Sequence, residues 1–323
     1  MERSLAVRDF GQVGPLQSQA IWHALASRAK RPMLTFMRPA GPYVSLGMHR
    51  HQDEIDLAYL EEQELPLLRR YAGGGPVYLD AQQLFFQIYL PKEMARGSRT
   101  KLIESLLTPA AGAFRSLIAE AGLDGYGEIS ANGRKLCGHG AAEIGQGVVV
   151  VGNLIESFDA ATGSKILKLH PLARERTTKL MERFVGPSSK ISADDAFITE
   201  MTAAYLKLFE VEKLGDLALG EFLSGVGEFE RKLADPEFLA GTELGIKPPS
   251  QPISIKVRAG VQLLVAEEVG WLAMATTVFG RLEAMEVVKD GKELARWDAI
   301  GLLAKSDLGR AFLHRLAKFK PAA

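Results

Sequence analysis

The sequence predicts an α+β fold, and three observations carry that reading. Segments with helical apolar spacing and short β-type runs intermix without a regular βα alternation. Asn132-Gly133 separates two β-type runs, and Asn-Gly is a strong hairpin signal. Beyond the Gly- and Pro-rich stretch GTELGIKPPSQP, four short strand-like runs follow one another closely. The 323 residues suffice for one large domain or two unequal ones. We expect a large domain over 1–245 and a small α+β appendage over 246–323.

In chain order, residues 15–30 read as an amphipathic helix with Leu16, Ala20, Trp22, His23 and Ala26 near one face. Met33–Met37 and Tyr43–Leu46 read as strands. Residues 53–64 open with acids, which favour a helix N-terminus. Leu67–Tyr71 reads as a strand running into Gly73-Gly74-Gly75, followed by strands at Pro76–Leu79 and Leu84–Leu90. Helical spacing spans 101–121, with Gly122 in the position of a C-cap. Residues 127–155 read as β structure with the Asn132-Gly133 turn inside it, and 190–209 as a helix. In the appendage the strands are Ile253–Val257, Gln262–Ala266, Trp271–Phe279 and Leu282–Val287, closed by one helix over Leu302–Phe319.

Composition narrows the function. Lys plus Arg and Asp plus Glu are equal at 39 each, so a protein built mainly to grip nucleic acid is not expected. A single cysteine excludes a disulfide framework and any cysteine-based zinc site. The N-terminal residues lack the apolar stretch of a secretory signal. Val148–Ile155 is too short to span a bilayer, and Glu267 and Glu268 interrupt Val261–Phe279. The expectation is a cytoplasmic protein without membrane association. No Walker-type phosphate loop, H-E-x-x-H or G-x-S-x-G motif occurs, and His49/His51 alone make a weak metal site, so no metal ligand is assigned.

Two segments carry chemistry. In Arg69-Arg70-Tyr71-Ala72-Gly73-Gly74-Gly75-Pro76-Val77-Tyr78, three glycines let a ligand approach the main chain, and two arginines can bind phosphate or carboxylate. A glycine-rich turn with surface arginines fits the same residues. In Asn132-Gly133-Arg134-Lys135-Leu136-Cys137-Gly138, strand alternation puts Lys135 and Cys137 on one face. The pair then reads as a thiolate nucleophile with its activator, or Lys135 alone as a point charge for an anion. A surface lysine beside a small buried cysteine is the commoner arrangement, since a free cysteine usually packs as a small apolar residue.

Together, RRYAGGGPVYLD, ANGRKLCG some 50 residues later, and GVVVVGNLI resemble the lipoate-protein ligase family. Its pattern is R-R-x-[ST]-G-G-G-x-V-x-x-D followed by N-G-[RK]-K-[IL]-x-G. PYVSLGMHRHQ resembles the family segment before the first motif. Lys165–Lys179 resembles the loop after the second. VRAGVQLLVAEEVGWLAMATTVFGRLEAMEVVKDG resembles the family's small accessory domain, which is associated with activation by ATP.

The resemblance implies a biotin/lipoate ligase-like core, a mixed or antiparallel sheet flanked by helices. It implies ATP and Mg2+ as cofactors, lipoate as substrate, and lipoyl-AMP as intermediate. The implied acceptor is a lipoyl domain or a glycine-cleavage-type carrier protein, and the enzyme is expected to be a monomer. Lys135 becomes the catalytic residue. Arg70, Gly73, Gly74, Gly75, Val77, Tyr78, Glu128, Gly138, Gly152 and Asn153 become binding residues, and Leu46, Val77 and Leu136 line a slot for the dithiolane tail. This chain departs from the pattern at Ala72, Pro76 and Glu128, and Val150-Val151-Gly152-Asn153 replaces a His-His-Gly-Thr-like run. The competing expectation is an ATP-independent octanoyl or lipoyl transferase with Cys137 as nucleophile, or a lipoyl-binding module without chemistry.

Overall fold

The computed structural model describes residues 4–193, 195–211, 213–215 and 219–321. Strand β1 (Ser4–Val13) leads into helix α1 (Pro15–Ser27), whose proline at the first turn costs no hydrogen bond. Then come β2 (Met33–Pro39), β3 (Tyr43–Leu46), α2 (Leu57–Glu62), β4 (Leu67–Arg69), β5 (Val77–Leu79) and β6 (Gln83–Pro91). Helix α3 (Arg99–Phe114) precedes β7 (Gly122–Leu123), β8 (Ile129–Ala131), β9 (Arg134–Lys135), β10 (His139–Ile144) and β11 (Gly147–Ile155). Helices α4 (Ala160–Lys165), α5 (Pro171–Phe184) and α6 (Asp195–Leu208) lead to β12 (Lys213–Gly215), α7 (Leu219–Leu233) and α8 (Pro236–Ala240). The C-terminal part holds β13 (Ile253–Arg258), β14 (Val261–Glu268), β15 (Trp271–Val278), β16 (Arg281–Lys289) and β17 (Lys292–Glu293), then α9 (Arg296–Leu303), α10 (Asp307–Leu316) and β18 (Lys320–Pro321).

The central sheet has the order β10-β11-β6-β2-β1-β12. It is antiparallel from β10 to β2 and parallel from β2 to β12, hence mixed as expected. Strand β6 is buried along its whole length, and its two faces feed two cores. Leu84, Phe86, Ile88 and Leu90 join α3 and α6 side chains, whereas Phe85 and Tyr89 join Ile21, Trp22 and Leu25 of α1. Two small sheets, β4-β3-β5 and β7-β8-β9, carry the glycine-rich segment and the Asn-Gly hairpin.

The C-terminal sheet is an antiparallel meander, β13-β14-β15-β16-β17, with β18 added parallel to β16. Both its faces are apolar. Val257, Leu263 and Met274 pack on Leu180 and Phe184 of α5, while Leu264, Ala273 and Ala275 pack on Leu303, Phe312 and Leu316 of the last helices. Arg183 bridges to Glu283 at 2.8 Å, and Arg176 to Glu286, across the same boundary.

Several sequence expectations shift. The helix read over 101–121 ends at Phe114. Arg115, Ser116 and Leu117 bond three residues back, so the helix tightens and breaks, and Gly122 pairs with Ser130 instead of capping it. The helix read over 53–64 is shortened to α2, because Asp56 caps it by accepting the Tyr59 amide at 3.1 Å. The closing helix is two helices. Ser306 accepts the Gly309 amide at 3.0 Å and starts a new one, and a Cβ on Gly309 would lie 2.1 Å from the Leu303 carbonyl oxygen. The segment 165–179, read as a loop, is mostly α5. Among the described residues no helix is long and apolar enough to cross a membrane.

Candidate active site

The two motif arginines do not face open space. Arg69 is fully buried and gives its donors to main-chain carbonyls: Nη1 to Gly47, Met48 and Arg50 at 3.1, 3.1 and 2.6 Å, Nε to Phe238 at 2.5 Å, Nη2 to Leu239 at 2.6 Å. It ties the 47–50 loop to α8. Arg70 donates through Nη1 to the Ser45 carbonyl at 2.6 Å and through Nη2 to the carbonyls of Gly73 and Gly75, both at 2.9 Å. Burial lowers its pKa to about 10, which leaves it charged at neutral pH. Arg70 thus acts as a brace that closes the glycine loop on itself.

That loop is held from below. The Tyr71 amide donates to Nε2 of His23 at 3.0 Å, and the other ring nitrogen of His23 contacts the Gln19 carbonyl at 2.7 Å. Burial lowers the His23 pKa to about 3, so the ring is neutral and can accept. The sequence placed His23 on a helix face but showed no sign of this role. Gly74 sits at φ +102, where only glycine is relaxed, and a Cβ on Gly47 would lie 2.0 Å from its carbonyl oxygen. A Cβ on Gly73 or Gly75 would meet nothing within 4 Å. Those two positions are the open side of the loop, beside Val77, which is 36% exposed.

The second motif folds as read. Ser130 pairs with Lys135 and Ala131 with Arg134 around a two-residue turn whose residues, Asn132 and Gly133, have φ 50 and 76. Arg134 spends its donors on the carbonyls of Glu182, Arg183, Val185 and Gly186 at 2.7–2.8 Å, the C-terminal end of α5 where a cation is favoured. Lys135 differs. The only hydrogen-bond partner of its ammonium among the described residues is the Glu128 carboxylate at 3.0 Å, and its side chain remains 19% exposed.

Cys137 does not share the face of Lys135. The strand stops after Lys135, and the amides of both Leu136 and Cys137 donate to the Ile129 carbonyl at 2.9 and 3.3 Å. The alternation breaks there, and both side chains enter the core. Burial pushes the Cys137 thiol up to about 12, and its Sγ donates to the Gly138 carbonyl at 3.2 Å. This is the reverse of an activated thiolate.

Other residues of the expected binding set make contacts within the protein. The Gly138 amide donates to Asn153 Oδ1 at 2.6 Å, Asn153 Nδ2 to Gln83 Oε1 at 2.5 Å, and Gln83 Nε2 to the Tyr78 carbonyl at 3.3 Å. This chain links the strand after the glycine loop to the segment after Lys135. Gly152 makes room for Phe86, whose ring carbon would stand 2.3 Å from an added Cβ. Burial, then Asp80, raises the Tyr78 pKa. Leu46 and Leu136 are buried in separate clusters, so with Val77 they form no common slot. A Cβ on Gly140 would lie 3.3 Å from Ala72 and 3.7 Å from the Gly73 carbonyl, so the start of β10 packs against the glycine loop. An open cavity of about 500 Å³ reaches this region only through Tyr71, with Phe229, Lys232 and Asp235 on its rim, and does not include Lys135. Charge and exposed main chain, rather than that cavity, locate the candidate site. No group of three His, Cys, Asp or Glu side chains among the described residues could cage a metal.

The model of the lipoyl protein ligase A/B catalytic domain matches residues 15–210. The chain belongs to that family. It is 25% identical over 181 residues to lipoate-protein ligase LplJ of Bacillus subtilis, covering 54% of this chain and 53% of that protein. The chain thus spans about half the length of the curated relatives it matches. Among solved structures it resembles the bipartite lipoate protein ligase of an archaeal lipoylation system from Thermoplasma acidophilum, described with its E2 lipoyl domain, at TM-score 0.63 and 19% identity over 78% of this chain and 99% of that one. It also resembles lipoate-protein ligase A bound with ATP, at TM-score 0.57 and 21% identity over 75% and 99%. These likenesses establish the shared fold.

Within the family pattern, the departures lie mostly inside the protein. Ala72 is fully buried where the pattern has a hydroxyl, and Val150 is fully buried where it has a histidine. His139 stands across from Gly152 on the neighbouring strand, with Nδ1 buried and unpartnered among the described residues. Burial, then the Lys135 charge, lowers its pKa to about 4.

Proposed function

We propose that this chain attaches lipoate to a lysine of a lipoyl-carrier protein in two steps driven by ATP. A lipoate carboxylate oxygen attacks the α-phosphorus of ATP; the new acyl–phosphate bond forms as the α–β bridge breaks, releasing pyrophosphate. The acceptor lysine nitrogen then attacks the acyl carbon. The C–N bond forms, AMP leaves, and the amine proton passes to water.

The observation that supports this most is Lys135. It is the cation of the second motif whose ammonium pairs with a side-chain carboxylate rather than with main-chain carbonyls, anchored by a two-residue turn and partnered by one carboxylate it can exchange. In this reading its ammonium leaves Glu128 to lie between the carboxylate and α-phosphate oxygens, offsetting their repulsion as they meet. The open main chain at Gly73 and Gly75 receives the ligand, and Arg70 keeps that loop shaped. Family membership and the likeness to an ATP-bound ligase fit the same chemistry. Mg2+ would travel with the nucleotide, held by phosphate oxygens and water with at most one or two carboxylates. No step here depends on it.

The acceptor is a lipoyl domain or a glycine-cleavage-type carrier, the enzyme acts as a cytoplasmic monomer, and residues 246–323 form an accessory unit to a catalytic domain over 1–245. The test is direct. Lipoate, MgATP and an apo lipoyl domain are mixed with the chain, and the acceptor is weighed by mass spectrometry. One lipoyl group gained only with ATP is expected. Octanoyl transfer without ATP that depends on Cys137 would replace this reading with the transferase, and lipoate binding without any modification would replace it with a binding module.

A further inference from the structure

Arg258 closes β13 of the C-terminal sheet, yet its side chain is built into the hairpin that carries Lys135. It is 1% exposed. Nη1 donates to the Gly133 carbonyl at 2.6 Å, in the turn itself, and Nη2 bonds the Asp124 carboxylate. Nε lies 3.3 Å from Glu128 Oε2, while Lys135 Nζ lies 3.0 Å from Glu128 Oε1. One buried carboxylate is therefore shared by two cations, one from each side of the boundary between the sheets. Arg258 Nε points its hydrogen at the Ala259 carbonyl at 3.2 Å, and Glu128 Oε2 has no aligned donor among the described residues. The arginine compensates the charge of Glu128 without fully engaging it. The Arg258 guanidinium also lies over the Phe279 ring, 5.4 Å from its centre, and that ring packs on Tyr126 at 5.2 Å. Asp124 is held ionised: burial pushes its carboxyl up, but the Glu128 amide, Ser130, the Tyr126 amide and Arg258 outweigh it and bring its pKa below the ordinary value.

In the ligase reading Lys135 turns from Glu128 toward the substrate anion. A buried carboxylate stripped of its partner is strongly disfavoured, so Glu128 would hold the lysine back unless another cation took over. Arg258 is already within ion-pair distance of the other oxygen. We propose that Arg258 is a positioning residue for the activation step: it takes over Glu128 as Lys135 turns to the substrate, so that the seating of the C-terminal sheet sets how freely the Lys135 ammonium can move. This rests on the ligase reading and names how residues 246–323 act on its site.

The experiment measures both half-reactions in the full chain: lipoate-dependent exchange of pyrophosphate into ATP, and transfer from preformed lipoyl-AMP to an apo lipoyl domain. In Arg258→Gln, exchange should fall about 30-fold, the scale expected when one partner of a buried charge group is lost. Transfer should fall far less. Adding Glu128→Gln should restore exchange at least about tenfold, because the lysine no longer leaves a charge behind. A purely structural arginine predicts no such rescue, since the second change removes a further contact. Equal loss in both half-reactions, or no rescue, overturns the proposal. Should Arg258→Gln fail to fold, Arg258→Lys decides. It keeps the charge beside Glu128, so exchange within about threefold of wild type supports the proposal, and loss as deep as that of Lys135→Ala overturns it. A wild-type chain without exchange overturns the ligase reading and this proposal together; an active wild type with an unaffected Arg258→Gln overturns this proposal alone.

Discussion

The glycine loop and the Asn-Gly hairpin each present two adjacent cations, Arg69-Arg70 in one and Arg134-Lys135 in the other. The structure treats three of these four alike. Arg69, Arg70 and Arg134 are consumed by main-chain carbonyls and act as staples within the fold. Lys135 alone gives its donors to a side-chain carboxylate. A guanidinium, with five donors in a rigid fork, can satisfy several carbonyls at once, whereas an ammonium on a flexible stem can exchange one partner for another. Proximity to a glycine motif therefore says less about anion binding than what already occupies the cation's donors.

Exchanging the roles of Arg70 and Lys135 breaks this comparison most sharply. Lys135→Ala should cut adenylate formation by about a thousandfold, the scale of removing one key charge stabiliser, with unfolding by urea nearly unchanged. Arg70→Met should do the opposite. It leaves the Ser45, Gly73 and Gly75 carbonyls without their donor and should cost about 3 kcal/mol of stability in urea, with activity lost mainly as the loop opens.

Cys137→Ala carries a smaller effect. It trims a small buried side chain from the core and should cost about 1 kcal/mol, while ATP-dependent activity stays within about twofold of wild type. A complete loss of activity in a folded Cys137→Ala chain would reinstate the thiol as a participant.

The comparison also carries a pH dependence of stability. His23 and His139 have pKa values lowered by burial from 6.5 to about 3 and about 4. The unfolded chain therefore binds protons that the folded one refuses, so their contribution is intact above pH 6.5 and is lost as pH falls below it toward 4. Urea midpoints measured at pH 7 and pH 5 should show the drop, and His23→Gln should lessen it.

Much of this architecture is legible in the chain. Asn132-Gly133 states its turn because both positions need positive φ, and the four C-terminal strands follow from their short apolar runs between glycines. Strand β1 and helix α5 are not legible. The first carries Asp9 and Gln12 on exposed positions and a half-buried Arg8, and the second hides Ala173, Leu180 and Phe184 among charged residues that face solvent or the C-terminal sheet. In the site, Lys135 is visible from motif and spacing. The consumption of Arg70, the buried thiol and the Arg258–Glu128 contact are not, because each depends on which segment, distant in sequence, arrives beside it.

The central claim is that Lys135 is the exchangeable cation of an adenylate-forming site. Its most direct test is lipoate-dependent exchange of labelled pyrophosphate into ATP, run side by side on the wild-type and Lys135→Ala chains. Exchange should require lipoate in the wild type and fall about a thousandfold in a variant that unfolds at the same urea concentration. Undiminished exchange in Lys135→Ala would contradict that claim.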